Sequence, residues 1–189
     1  MTSSKAEPYK PEPALEMKQY EEVLGVISNM AIALERTPSV FANMEEEHLR
    51  DFLLVMLNAI FEGQATGETF NREGKTDILI RVENRNIFIA ECKIWDGPKT
   101  LTGAIDQLLG YLCWRDTKAA TIAFSRRKNF SAVLEAISGA VETHPNCKRR
   151  VAGYQAESSF RFVLAQKGDP QSDITLTVLA FQVPADDSD

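Results

Sequence analysis

Two short apolar segments separated by a polar turn constrain the fold of this chain more than any other feature. Residues 76–82 (TDILIRV) and 87–93 (IFIAECK) are rich in β-branched side chains, which favour extended strands. The four residues between them, 83–86 (ENRN), include two asparagines, and asparagine is common in tight turns. The pattern therefore predicts a β-hairpin, in which the two strands pair antiparallel.

Helical and extended patterns alternate on both sides of this hairpin. Apolar residues recur every three or four positions in 14–35 and 43–61, which predicts two helices, and Pro38 breaks the helical pattern between them. Further helices are predicted at about 99–114 and 130–141, further strands at 119–124, 149–155, 159–165 and 174–182, loops at 63–74 and 95–98, and a turn at 168–170. This order predicts an α/β fold with a mixed central β-sheet flanked by helices.

Composition separates one expected domain from two polar ends. Residues 1–14 are polar and contain proline, so they and residues 184–189 are predicted to be tails, with 15–183 as a single domain. No segment has the 18 apolar residues of a membrane span, and the N-terminus has no apolar signal region. We therefore expect a cytoplasmic protein without a membrane partner. Three cysteines at unrelated spacings fit reduced thiols in that compartment: Cys92, Cys113 and Cys147.

Side-chain alternation along the second hairpin strand separates its charged residues from its apolar ones. Successive side chains point to opposite faces, so Glu91 and Lys93 share one face. Phe88, Ala90 and Cys92 share the other. Two charges within an apolar strand are costly unless they are paired or serve a function. Glu91 and Lys93 are therefore candidate site residues, and the alternative is a surface ion pair on an edge strand.

The expected hairpin register places a second carboxylate beside Glu91. With the turn centred near residues 84 and 85, Asp77 lies beside Glu91 or Cys92, and cross-strand neighbours are about 5 Å apart at their β-carbons. Asp77 and Glu91 can then share one cation, with the backbone carbonyl of Cys92 as a further ligand. An all-oxygen set favours Mg²⁺ or Mn²⁺ over zinc. Lys93 would hold the attacking water or a phosphate. The alternative for Asp77 is a cap at the strand start.

These residues resemble the signature of the PD-(D/E)xK, or restriction-endonuclease-like, nuclease superfamily. The resemblance rests on Asp77 and, after 13 intervening residues, Glu91-Cys92-Lys93. Threonine stands before Asp77 where the family name has proline, a position that varies in the family. The resemblance covers about residues 43–125 and implies a restriction-endonuclease-like core with a metal-dependent active site on the hairpin.

Two further features extend the resemblance. The helix after the hairpin contains Gln107 and Tyr111 in the sequence QLLGY, which looks like the QxxxY motif of the RecB-like branch. Residues four apart share a helix face, so both side chains can point toward the site. Many members also take a glutamate from the helix before the hairpin, and Glu46 is the first choice here, with Glu45 and Glu47 as alternatives. Gln107 and Glu46 are thus implied as assisting catalytic residues.

Charge is distributed unevenly along the chain. The net charge is −6, yet residues 72–150 contain 14 Lys and Arg against 9 Asp and Glu, whereas the segments on both sides are acidic. A polyanion would be attracted to the middle segment. Candidate nucleic-acid contacts within it are Lys75, Tyr111, Arg126, Arg127 and Lys128, with Arg72 as a further choice. For the basic side chains, surface charge without a role is the alternative.

The sequence therefore leads to one expected function and two alternatives. We expect an Mg²⁺- or Mn²⁺-dependent endonuclease acting on DNA, and the resemblance implies a place in restriction, phage defence or repair. The alternatives are an RNA-cleaving nuclease and a catalytically inactive nucleic-acid-binding or assembly domain of the same fold. A homodimer or a larger sensor and effector assembly is compatible with each. Other chemistries lack their signatures, since His48 and His144 have no metal-ligand spacing.

Overall fold

The computed structural model describes residues 16–61, 65–66, 69–71, 74–82, 85–154 and 156–183. Its helices are α1 (Met17–Arg36), α2 (Pro38–Phe41), α3 (Glu46–Ile60), α4 (Pro98–Tyr111) and α5 (Phe130–Glu142). Its strands are β1 (Ala65–Thr66), β2 (Thr69–Asn71), β3 (Gly74–Thr76), β4 (Ile78–Val82), β5 (Arg85–Ile94), β6 (Lys118–Ser125), β7 (Cys147–Arg150), β8 (Ser159–Gln166) and β9 (Asp169–Gln182). The predicted tails lie outside the described residues.

Most of these strands form one mixed sheet. Among the described residues, seven strands pair in the order β1-β4-β5-β6-β9-β8-β7, and β2 and β3 form a separate two-stranded sheet. β6 runs parallel to both β5 and β9, whereas the other neighbours in the large sheet pair antiparallel. The expected α/β fold with a mixed central sheet flanked by helices is confirmed.

Helices cover both faces of the sheet because the central strands are apolar on both sides. Phe88, Ala90 and Cys92 of β5 pack with α1 and α3 on one face. Ile89, from the same strand, packs with α4 and α5 on the other. The predicted alternation along this strand is therefore confirmed, and β5 is buried by helices on both faces. No helix in the described part of the chain combines the length and the apolar character needed to cross a membrane.

The segment predicted as a loop at 63–74 is more structured than its sequence indicated. β1 and β2 lie within it, and the predicted first hairpin strand at 76–82 is divided, because Thr76 ends β3 and β4 begins at Ile78. β1 pairs with β4 through Ala65 and Thr66. Strands of two or three residues are too short to show an alternating pattern, so pairing with neighbours determines them. The prediction of a loop was therefore wrong at 65–66, 69–71 and 74, the described residues of this segment.

The late strands also differ from their predicted bounds. β7 ends at Arg150 and not at 155, because the chain turns at 152–153, where Gly153 has a φ of 78°. β9 begins at Asp169 and not at 174, since a turn through Gly168, with a φ of 83°, returns the chain directly onto β8. Left-handed backbone at these two turns suits glycine, which has no β-carbon. The turn between β8 and β9 therefore occupies 167–168, and residues 169 and 170 of the predicted turn belong to β9.

Candidate active site

The last four residues of β5 extend past the strand that precedes them. β4 begins at Ile78, which pairs with Ala90. Residues 91–94, here called the projecting end of β5, pair with β6 on one side and have no β4 residue beside them on the other. Their backbone groups on that open side must bond elsewhere. The projecting end therefore offers donors and acceptors at a gap in the sheet.

Asp77 occupies this gap. It lies directly before β4, and its Oδ2 accepts a hydrogen bond of 2.9 Å from the Cys92 N–H. The carboxylate thus takes the place of a strand carbonyl, and the sequence-based expectation that Asp77 lies beside Glu91 or Cys92 agrees with this contact. The N–H and C=O of one residue point to the same side of a strand, so the Cys92 carbonyl also faces the Asp77 side.

Lys93 lies at the centre of three carboxylates. Its Nζ is 2.9 Å from Glu46 Oε1, 3.4 Å from Glu91 Oε1 and 3.8 Å from Asp77 Oδ2. Burial alone would lower the pKa of Lys93, but the Glu46 hydrogen bond and the charges of Asp77 and Glu91 raise it above its ordinary value. Lys93 is therefore an ammonium group at neutral pH, suited to donate hydrogen bonds and not to accept a proton.

Glu46, the first residue of α3, is the glutamate that reaches this cluster. Its Oε1 accepts from Lys93, and its Oε2 accepts a hydrogen bond of 2.8 Å from the Ile94 N–H. It therefore bonds both a side chain and the backbone of the projecting end. Glu45 and Glu47 are exposed, so the structure distinguishes between the three candidates in favour of Glu46.

Glu91 is the most deeply buried charge of the cluster, with 3% of its surface exposed. Its Oε2 is buried and has no hydrogen-bond partner among the described residues. Burial and the charge of Asp77 raise the pKa of Glu91 from 4.5 to about 7, although Lys93 partly opposes this rise. Two neighbouring carboxylates with one unpartnered oxygen form a site that a cation would stabilise.

Arg50 belongs to the cluster but was missed in the sequence. It lies one turn after Glu46 on α3 and is only 9% exposed. Its Nη1 is 3.8 Å from Asp77 Oδ1, and its Nε and Nη2 donate to Asp51 Oδ1. The available signal was its spacing of four from Glu46, next to the apolar stripe of α3, since residues four apart share a helix face.

The two candidates on α4 have different positions. Tyr111 is partly buried, and its pKa is raised by burial and by the charges of Glu91 and Asp77, which places the phenol near the carboxylates. Gln107 lies one turn earlier with an exposed side chain, and it makes no hydrogen bond within the described part of the chain. The structure thus brings Tyr111 toward the cluster and leaves Gln107 without a contact to it.

The basic candidates follow the neighbouring strand. Arg126 donates to the backbone carbonyl of Met44, just before α3, so its guanidinium braces the segment that delivers Glu46. Arg127 is exposed, with its Nη2 3.6 Å from Asp96 Oδ1, and Lys128 is also exposed. The backbone of Lys75 lies in β3, whereas its side chain and all of Arg72 fall outside the described residues.

The ligand set for a metal ion is small. Among the described residues, no group of three or more His, Cys, Asp or Glu side chains is arranged to hold a metal. The pair of the half-buried Asp77 and the buried Glu91 fits a hard cation in its chemistry, because both ligands are carboxylates and one Glu91 oxygen is unpartnered among the described residues. Backbone carbonyl and water would have to supply the other ligands. Glu46 is already bonded to Lys93 and Ile94.

The fold and this cluster define an α/β protein with a partly buried acidic site at the projecting end of a central strand. Comparisons of the chain with family models, with curated proteins and with solved structures find no match. The geometry of the cluster therefore has to carry any functional assignment.

Proposed function

We propose that this chain is an Mg²⁺- or Mn²⁺-dependent nuclease of the PD-(D/E)xK kind that hydrolyses phosphodiester bonds, with DNA as the favoured substrate. The observation that carries the proposal is the convergence of Asp77, Glu91 and Glu46 on the Lys93 ammonium at the projecting end of β5. Charges of this density are not needed to stabilise a sheet. Perturbed, partly buried titratable groups in one cluster are typical of catalytic sites.

The order of elements supports a restriction-endonuclease-like core. An antiparallel hairpin, β4 and β5, carries the acidic residues, and α4 then connects β5 to the parallel strand β6. The resemblance noted in the sequence implies this order of hairpin and helix. Cys92, between the two charged residues, packs into the core behind the site.

Each residue of the cluster has a distinct role in this proposal. Asp77 and Glu91 would hold the cation, which when bound lowers the pKa of a water and stabilises charge on the phosphate. Lys93 binds a phosphate oxygen or the attacking water through Nζ, as an ammonium group. Glu46 fixes the Lys93 side chain against the backbone at Ile94, so the donor is held in place before the substrate arrives.

The surroundings of the site fit a polyanionic substrate. Ile94 pairs with Phe124 near the end of β6, and 126–128 (RRK) follow directly. The exposed Arg127 and Lys128 therefore lie at the same end of the sheet as the site, where they would contact the phosphates flanking the scissile bond. Such contacts carry no sequence information and predict weak sequence specificity.

A nuclease assay with matched lysine variants tests this function. Wild type, Lys93→Ala and Lys148→Ala are incubated with Mg²⁺ or Mn²⁺ and labelled single-stranded DNA, duplex DNA or RNA. Lys148 is a suitable control because it is a partly exposed lysine paired with Asp173 on the far side of the sheet. We expect cleavage by wild type and Lys148→Ala and a loss of about a hundredfold in Lys93→Ala.

The results separate the proposal from its alternatives. Undiminished cleavage by Lys93→Ala would refute the assigned role of this site. Cleavage of RNA alone would change the substrate, and binding without cleavage under either metal would favour the inactive nucleic-acid-binding domain.

A further inference from the structure

Arg50 has a buried position that the helix pattern alone does not explain. α3 presents Leu49, Leu53 and Leu57 to the core, and Arg50 lies beside this apolar stripe with only 9% of its surface exposed. Burying a guanidinium costs free energy unless charged or polar partners compensate for the lost water. The position of Arg50 therefore has to be explained by the groups that it contacts.

Its planar guanidinium spans two carboxylates. Nε and Nη2 lie 3.0 and 2.9 Å from Asp51 Oδ1, on the same helix, and Nη1 is 3.8 Å from Asp77 Oδ1 across the gap. The other oxygen of Asp77, Oδ2, accepts from the Cys92 N–H. Asp77 is thus held between α3 on one side and β5 on the other.

We propose that Arg50 is a positioning residue that fixes the Asp77 carboxylate in the orientation in which it shares a cation with Glu91. This inference rests on the proposed function. A single helix, α3, then orders two parts of the site, because Glu46 holds Lys93 and Arg50, one turn later, holds Asp77.

The direction in which metal affinity changes when Arg50 is replaced separates a positioning role from simple proximity to the metal. A cation that is only a neighbour repels a bound metal ion, so its removal would strengthen metal binding. A residue that orients a ligand has the opposite effect, since loss of such an outer partner typically weakens metal binding by about 10- to 100-fold. Arg50→Gln removes the charge and the fork, whereas Arg50→Lys keeps the charge alone.

Calorimetric titration with Mn²⁺ is the first test. The proteins are wild type, Arg50→Gln, Arg50→Lys and the control Arg150→Gln, which removes a half-exposed arginine near Glu142 on the far edge of the sheet. We expect Mn²⁺ binding to weaken by roughly tenfold or more in Arg50→Gln, to weaken less in Arg50→Lys, and to be unchanged in the control. Unchanged or tighter binding in Arg50→Gln would overturn the inference.

A second measurement needs no metal. Hydrogen exchange of the Cys92 amide, followed by NMR in the presence of a chelator, reports whether Asp77 still accepts its proton. We expect this amide to exchange several times faster in Arg50→Gln than in wild type, with the amides of β9 unchanged. Equal exchange of the Cys92 amide would also overturn the positioning role. If Arg50→Gln does not fold, the same two comparisons are made with Arg50→Lys.

The two measurements also separate this inference from the proposed function. Wild type that binds no Mn²⁺ and cleaves nothing would contradict the nuclease, and the amide exchange would still decide whether Arg50 holds Asp77. Wild type that binds Mn²⁺, together with an Arg50→Gln variant that binds it equally well, would contradict the positioning role alone.

Discussion

Glu91→Gln should stabilise the metal-free protein at neutral and alkaline pH. Glu91 is 3% exposed, and its pKa is raised from 4.5 to about 7 by burial and by the neighbouring Asp77 charge. A carboxyl group with a raised pKa in the folded state favours folding in its protonated form. Below about pH 4.5 both folded and unfolded chains carry the proton, so there is no penalty. The free-energy cost of ionising Glu91 in the folded protein grows as the pH rises to 7, and it reaches its full size above that pH.

The size of the effect follows from the same two pKa values. A tenfold change in proton affinity corresponds to about 1.4 kcal/mol, so a pKa rise from 4.5 to about 7 amounts to roughly 3 kcal/mol. A glutamine side chain has nearly the same shape and never ionises. The free energy of unfolding of Glu91→Gln relative to wild type should therefore increase by up to about 3 kcal/mol between pH 4.5 and pH 8.

Urea unfolding in a chelating buffer, at five pH values from 4.5 to 8.5, measures this difference directly. Glu135→Gln is the matched control, because Glu135 is exposed on α5. A difference in the free energy of unfolding between wild type and Glu91→Gln that stays constant with pH, or shrinks as the pH rises, would refute the reasoning.

Addition of Mn²⁺ at about 100 times its dissociation constant should raise the free energy of unfolding of wild type by about 2.7 kcal/mol and that of Glu91→Gln by little.

Two further predictions concern residues outside the site. Tyr20→Phe should lower the free energy of unfolding by about 1–2 kcal/mol without changing cleavage, because its buried hydroxyl donates to the Ala119 carbonyl and contacts Thr177 Oγ1; an unchanged unfolding curve would contradict this. Alkylation followed by mass spectrometry should modify Cys113 and Cys147 in the native protein and spare Cys92, which is fully buried with its pKa raised by burial and by nearby carboxylates. Early modification of Cys92 would contradict its core position.

The parts of the site that depend on local rules were predictable from the sequence. Alternation along a strand fixes which side chains share a face, and it assigned Cys92 to the core and Glu91 to the opposite face. The predicted turn at 83–86 gave the hairpin register only approximately, because Arg85 and Asn86 belong to β5 and pair with Val82 and Arg81. The expected position of Asp77 was still close enough for its contact with Cys92. Glu46 could be chosen because its spacing from Leu49 placed it toward the inner face of α3.

The parts that depend on tertiary contacts were not predictable. Arg50 follows the buried Leu49 on α3, and a single arginine beside an apolar stripe looks the same whether it meets water or a carboxylate from another element. Only the docking of α3 against β5 places it near Asp77. The first residues of β9 illustrate a similar limit, because 169–173 (DPQSD) is a polar segment that extends a strand only through its pairing with β8.

The hydrogen bonds of the cluster distinguish its two candidate metal ligands. Asp77 has a partner near each oxygen, because Oδ2 accepts a hydrogen bond from the Cys92 N–H and Oδ1 lies 3.8 Å from Arg50 Nη1, at ion-pair distance. Glu91 Oε1 lies 3.4 Å from the Lys93 ammonium, whereas Glu91 Oε2 is buried and has no hydrogen-bond partner among the described residues. An uncompensated buried carboxylate is the costlier of the two, so a divalent cation would relieve more strain at Glu91 than at Asp77. Substitutions of Glu91 should therefore affect metal binding mainly by removing charge. Substitutions of Asp77 and Arg50 should affect it mainly by changing the orientation of the ligand.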